Sequence, residues 1–207
     1  QWDHDNYGQI TNGTLDADMD TDEAWDITTG SNDVIIAILD TGCDLDHPDY
    51  GDRIISGYDF INNDSNASDD HGHGTSCAGI AAAEGNNNLG VAGICWDCQI
   101  MPIKILASDG VGDDSNIAEG VTWASDNGAD VISMSLGGGM YVTYFNNAID
   151  YATSNGTVVI AATGNDDFGT ISYPSRYDNC IAVGAMSPCN ERKTFSSCDG
   201  ENFWGSN

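Results

Sequence analysis

The chain has 207 residues, 40% of them apolar, and carries 33 acidic side chains against 5 basic ones, a net charge of −28. The apolar content supports a folded domain with a core of its own and excludes a disordered polymer. The charge excludes nucleic acid and anionic membrane surfaces as partners, and apolar runs such as 34–39 and 158–162 are too short to cross a bilayer.

In chain order, an Asp/Asn/Gly-rich loop is expected at 11–22, then a buried strand at 33–39 that ends on Asp40. A second polar loop (62–72) leads to a helix at 76–84, with His73 where it begins, and a third loop follows at 85–90. A strand at 99–106 precedes a helix at 115–128 that starts with Ser115 as its cap and stops on Gly128. The strand 130–136 closes on Ser135-Leu136-Gly137-Gly138, and a helix at 144–156 again stops on a glycine. The strand 157–162 runs into Thr163-Gly164-Asn165, and a last strand is expected at 180–186. Strands alternating with helices predict an α/β fold, a doubly wound and mainly parallel sheet covered on both faces. No repeat or linker interrupts it, so 1–207 reads as one domain. Such sheets gather functional groups at the carboxyl ends of their strands, which puts Asp40, Ser135–Gly138 and Asn165 on one rim with His73.

Four stretches resemble the subtilisin-like serine proteases, the subtilases of the thermitase and proteinase K type: IAILDTGCD around Asp40, HGHGTSCAG around His73, SMSLGG at 133–138 and AATGN at 161–165. Their order and spacing match as well, and the similarity runs from about residue 22 to the end. The resemblance implies a subtilisin-like fold and a secreted serine endopeptidase acting on polypeptides with broad specificity. Asp40 would orient His73, His73 would act as general base and then general acid, and Asn165 would donate to the oxyanion. Gly110-Val111-Gly112 and Ser135-Leu136-Gly137 would pair with an extended peptide substrate. The family nucleophile belongs to a Gly-Thr-Ser-x-Ala block well beyond Asn165, and residues 166–207 contain none. The chain is therefore expected to be the N-terminal part of an active, monomeric protease, with the fold incomplete at its C-terminal side and a C-terminal segment, together with any pro-segment, outside it. A catalytically inactive, peptide-binding scaffold is the alternative. Ser76 is not expected to be the nucleophile, because it lies on the same helical turn as His73.

Other chemistries fit less well. One DTG (40–42) cannot form the two-carboxylate site of an aspartic protease. His71, His73 and Cys77 could hold zinc, but Cys77 falls on an apolar helix where it would be buried. His71 reads as a loop residue, and His4 and His47 as surface or turn residues. Only five of the acids are Glu. An excess of Asp fits hard-oxygen calcium sites, and also a salty habitat, where repulsion is screened within about 3 Å at ~1 M salt. Asp59, Asp64, Asn66 and Ser68, with Asn62, place alternating oxygens over ten residues, and the resemblance implies structural Ca2+ there. A second site is implied at Asp49 and Asn87. Seven cysteines fit an extracellular, disulfide-bonded protein with at least one thiol left over. The CWDC run (95–98) has redox spacing but lacks thioredoxin-like flanks, which favours a structural loop disulfide, and one pair is expected among Cys180, Cys189 and Cys198.

Overall fold

The computed structural model describes residues 1, 3–10 and 12–207; Thr11, the first residue of the loop expected at 11–22, lies outside them. Six strands make one sheet: β1 (Ile35–Asp40), β2 (Tyr58–Asp59), β3 (Gln99–Lys104), β4 (Val131–Met134), β5 (Val158–Ala162) and β6 (Ile181–Val183). Their order is β2-β3-β1-β4-β5-β6, and every pairing is parallel. β7 (Met186–Ser187) and β8 (Glu191–Arg192) form a separate antiparallel pair. The helices are α1 (Thr21–Trp25), α2 (His73–Ala82), α3 (Asp114–Asp126) and α4 (Thr143–Ser154).

The strand sequences are apolar because both faces of the sheet are covered. Along β1 the side chains alternate between two cores. Ala37 and Leu39 join the larger one, which α3 and α4 cap with Ile117, Val121, Phe145 and Ile149. Ile38 joins the smaller one under α2, with Ala78, Ala82 and Tyr50. The larger of these side chains, such as Leu39, Ile38, Val121 and Ile149, each contribute about 1.5–3 kcal/mol when fully buried. No helix of the described residues is long and apolar enough to cross a membrane.

Three local expectations are corrected. The 180–186 strand is not a buried one: it splits into β6 and β7, and Ile181 and Val183 are 54% and 50% exposed because β6 is the sheet edge. Ser115 does not cap α3; the helix begins one residue before it, and extended Asp113 takes the cap position. Within the loop expected at 11–22, Thr21 and Asp22 already belong to α1.

β1 sits at the hub. The chain leaves it by way of β2 and then α2 to reach β3 on one side, then crosses by α3 to β4 on the other. Neighbouring connections thus depart in opposite directions from the β1/β4 boundary, and a crevice opens there at the carboxyl ends.

Candidate active site

Asp40 closes β1, paired with Lys104 of β3, and is 0% exposed. Its main-chain carbonyl accepts the N–H groups of Ile105 and Leu106 at 2.9 and 3.1 Å, which pins the strand end. Its carboxylate Oδ1 accepts the Thr41 N–H at 2.7 Å and meets His73 Nδ1 at 2.7 Å. An acceptor-only carboxylate makes Nδ1 the donor and leaves Nε2 as the ring's acceptor in neutral imidazole. The His73 side chain is 45% exposed, so that acceptor belongs to a ring open to solvent.

The approach of α2 to β1 needs a glycine at 74. A Cβ there would strike the Gly42 carbonyl and lie 3.1 Å from Asp40 Cβ. The free N–H groups of the first turn of α2 find partners outside the helix. The Gly74 N–H donates to Thr41 Oγ1 at 2.9 Å, and the Thr75 N–H donates to Asp69 Oδ2 at 2.9 Å. Partial burial pushes the Asp69 carboxyl up, but hydrogen bonds from Thr75, Gly72 and His71 outweigh it and hold the group well below the usual carboxylate range. Asp69 and the buried Lys104 are site residues that the sequence motifs do not announce, and Thr41 lies within a motif without its role being marked.

Ser76 Oγ donates to the Gly72 carbonyl at 3.0 Å, back along its own helix and not to His73. Cys77, one turn beyond His73, has its Sγ 3.8 Å from His73 Nδ1. It is only half-buried, contrary to expectation, because it sits on the rim side of α2. The zinc set of His71, His73 and Cys77 is not assembled. The ligand atoms that cluster within 4.8 Å are those of Asp40, His73 and Cys77, while the rings of His71 and His73 stand 6.3 Å apart. His4, read as a surface or turn residue, does lie in a turn but is buried there, with Nδ1 2.7 Å from Thr21 Oγ1.

Asn165 follows β5 on the same rim, two strands or roughly 10 Å from β1. Its side chain is exposed and makes no hydrogen bond among the described residues. Between α3 and the end of β4 lies a cleft of ≈ 420 Å³ whose walls include Gly110–Gly112 and Leu136–Gly138. The 110–112 stretch is not a strand but leaves a tight turn at 108–109: the Ala107 N–H donates to the Val111 carbonyl, and the Val111 N–H to Asp109 Oδ1. Ser135 is exposed directly after β4 but is not among the residues that line the cleft.

The two acidic loops differ. Asp59 is buried, and its carboxylate accepts the N–H groups of Ile61 and Asn62 and the Asn62 side-chain amide. Asp64 bridges back to Asp59 through the main chain, and Asn66 Oδ1 accepts Ser68 Oγ–H at 2.6 Å. Asp49 is 2% exposed; its oxygens accept the Asn87 side-chain amide at 2.7 Å and the Val91 N–H at 2.9 Å. Asp49 and Asn87 thus meet through the Asn87 amide N–H, while Asn87 Oδ1 accepts the Leu89 N–H at 2.9 Å, and Gln1 Oε1 accepts the neighbouring Ala92 N–H. Both donor sets have the chemistry that calcium takes.

Cys95 bonds Cys98 and Cys189 bonds Cys198, leaving Cys43, Cys77 and Cys180 as free thiols. CWDC is thus a loop disulfide far from the rim residues in sequence. Burial pushes the Cys43 thiol up to about 12 and those of Cys77 and Cys180 up to about 11.

The description "Subtilase family" matches residues 31–204. The chain is 45% identical over 177 residues to a "Thermophilic serine proteinase" of Bacillus sp. (strain AK1), covering 86% of this chain and 44% of that protein. It is 42% identical over 175 residues to "Thermitase" of Thermoactinomyces vulgaris, covering 84% of this chain and 62% of that one. Among solved structures it is similar to "Sphericase", with a TM-score of 0.71 and 36% identity over 76% of this chain and 55% of that one. The chain therefore spans about half the length of the relatives it matches.

A thiol held near 11 is protonated at neutral pH and is a poor nucleophile. Alkylation of Cys77 by iodoacetamide, followed by peptide mass spectrometry, is expected to accelerate through the ordinary thiol range of about 8.5 and to level off only near pH 11. A rate already at its plateau in the ordinary range contradicts that reading of the site.

Proposed function

The chain belongs to the subtilase family, and on that premise we propose that it forms the Asp–His portion of a serine endopeptidase that hydrolyses peptide bonds in extended polypeptides. The observation that carries this reading is the 2.7 Å contact between the buried Asp40 carboxylate and His73 Nδ1, because it leaves Nε2 as the base. The attacking hydroxyl comes from a serine outside these 207 residues. His73 Nε2 takes its proton as the oxygen attacks the scissile carbonyl, and the resulting imidazolium is stabilised by Asp40. The Asn165 amide donates to the oxyanion, and His73 then returns the proton to the leaving amine.

Substrate lies along the cleft as an added strand, with main-chain groups at Gly110, Val111 and Gly112 on one side and Ser135, Leu136 and Gly137 on the other. Since the Val111 N–H and C=O are engaged by Asp109 and Ala107, and the Gly110 N–H by the Ala107 carbonyl, the Gly110 carbonyl and the Gly112 main chain are the groups left to meet the peptide. Recognition by main chain demands little of the substrate's side chains, hence broad specificity. We place the protein outside the cell, as a monomer. Two disulfides and an acidic surface that repels its own copies support this placement.

Calcium is the proposed cofactor, with a structural role. Asp59, Asp64, Asn66 and Ser68 would hold one ion, and Asp49 and Asn87 would contribute to another. Bound there, the ion neutralises clustered carboxylates and ties loops to the sheet.

In the complete protein, a fluorophosphonate is expected to label one serine, and casein is expected to be digested. His73→Ala should lower kcat roughly 10⁴-fold or more, and Asn165→Ala roughly 10²–10³-fold. Peptide binding without labelling or cleavage would instead make the protein a scaffold.

Chelation with EDTA is expected to lower the melting temperature, with calcium restoring it. Asp49→Ala and Asp59→Ala should each blunt the response. A melting temperature indifferent to EDTA removes the metal from the account.

A further inference from the structure

The carboxylate of Asp69 lies outside the Asp–His–Asn set, yet it receives five hydrogen bonds. Oδ1 accepts Thr41 Oγ1–H at 2.8 Å, the His71 N–H at 3.0 Å and the Gly72 N–H at 2.9 Å. Oδ2 accepts the Thr75 N–H at 2.9 Å and Thr75 Oγ1–H at 2.6 Å. These donors come from the two segments that carry the catalytic pair: Thr41 is next to Asp40, and His71, Gly72 and Thr75 flank His73.

The contacts form a closed circuit. Because Thr41 gives its hydroxyl proton to Asp69, its Oγ1 is free to accept the Gly74 N–H at 2.9 Å. The Thr41 N–H donates to Asp40 Oδ1, the same oxygen that meets His73 Nδ1. A buried lysine holds Thr41 from its other side. Lys104 is 1% exposed, and its Nζ donates to the Thr41 carbonyl at 2.6 Å, the Leu106 carbonyl at 3.1 Å and Asp70 Oδ1 at 2.6 Å. Adjacent acids thus reach Thr41 by two routes, through its hydroxyl and through its carbonyl.

We propose that Asp69 is a positioning residue for the Asp40–His73 pair, acting through Thr41 and the first turn of α2 to set the distance and angle at which the two side chains meet. The proposal rests on reading that pair as the catalytic dyad. Only an acceptor-only group fits the position: an amide at 69 would turn an N–H toward either Thr41 or Thr75, both of which donate there.

The test uses proton NMR and kinetics of the complete protein. The unmodified protein should show a low-field Nδ1–H resonance that disappears in Asp40→Ala; its absence overturns the dyad reading, and this proposal with it. Asp69→Ala and the gentler Asp69→Asn should shift or broaden that resonance, and Thr41→Val, which cuts the link while leaving Asp69 in place, should act in the same direction. If Asp69→Ala fails to fold by circular dichroism, Asp69→Asn decides. In the complete protein, kcat should fall roughly 10–100-fold with KM little changed. A lowered melting temperature with the resonance and kcat both intact makes Asp69 a helix cap only and overturns the proposal.

Discussion

Taking an ionised carboxylate out of water costs several kcal/mol unless its charge is matched by well-placed donors. Asp40 is fully buried, its Oδ1 held by the Thr41 N–H and His73 Nδ1, while Oδ2 has no partner among the described residues. A carboxylate left this short of donors has much to gain from a positive charge next to it. Protonation of His73 at Nε2 would supply that charge. The same incompleteness that makes the folded site expensive makes it a good stabiliser of an imidazolium.

The fold exists in a form that can bear this expense. β1 is flanked on both sides by parallel strands and covered on both faces by helices, with Leu39 and Ile38 each buried in a different core. A rigid strand end fixes Asp40, and a glycine at 74 lets α2 come close enough for His73 to meet it. The cleft opens at the same carboxyl ends, where the residues leading into α3 and those leaving β4 face one another across it. The geometry of the Asp40–His73 pair is a consequence of strand order. The chain's excess of acid lies mostly on loops, where water and salt screen it.

Much of this was legible from the residues alone, and the parts that were not share a physical cause. β1, β3, β4 and β5 announce themselves because burial on both faces demands unbroken apolar runs. The ends of α3 and α4 were marked by Gly128 and Gly156, both at positive φ, where other side chains are strained. β2 has two residues and no pattern to read. β6 has the composition of a central strand, and only the strand order reveals that it lies at an edge. Ser115 looked like a cap, but the chain enters α3 one residue earlier. Asp40, His73 and Asn165 stood out through motifs. Asp69 did not, since an acid before a helix reads as one more loop residue until Thr41 is seen to share it. Its position three residues ahead of Gly72, the α2 cap, was the available signal. The free thiols were an arithmetic certainty for one cysteine only; which three stay unpaired depends on burial and distance in the fold.

The central claim is that Asp40 acts through His73 and has no separate role in turnover. A double-mutant cycle in the complete protein tests it most directly: kcat/KM for Asp40→Ala, His73→Ala and both together, on one peptide substrate. The account predicts that once His73 is gone, removing Asp40 changes the rate little, so the double variant matches His73→Ala alone. Losses that multiply as if the two residues were independent would contradict it.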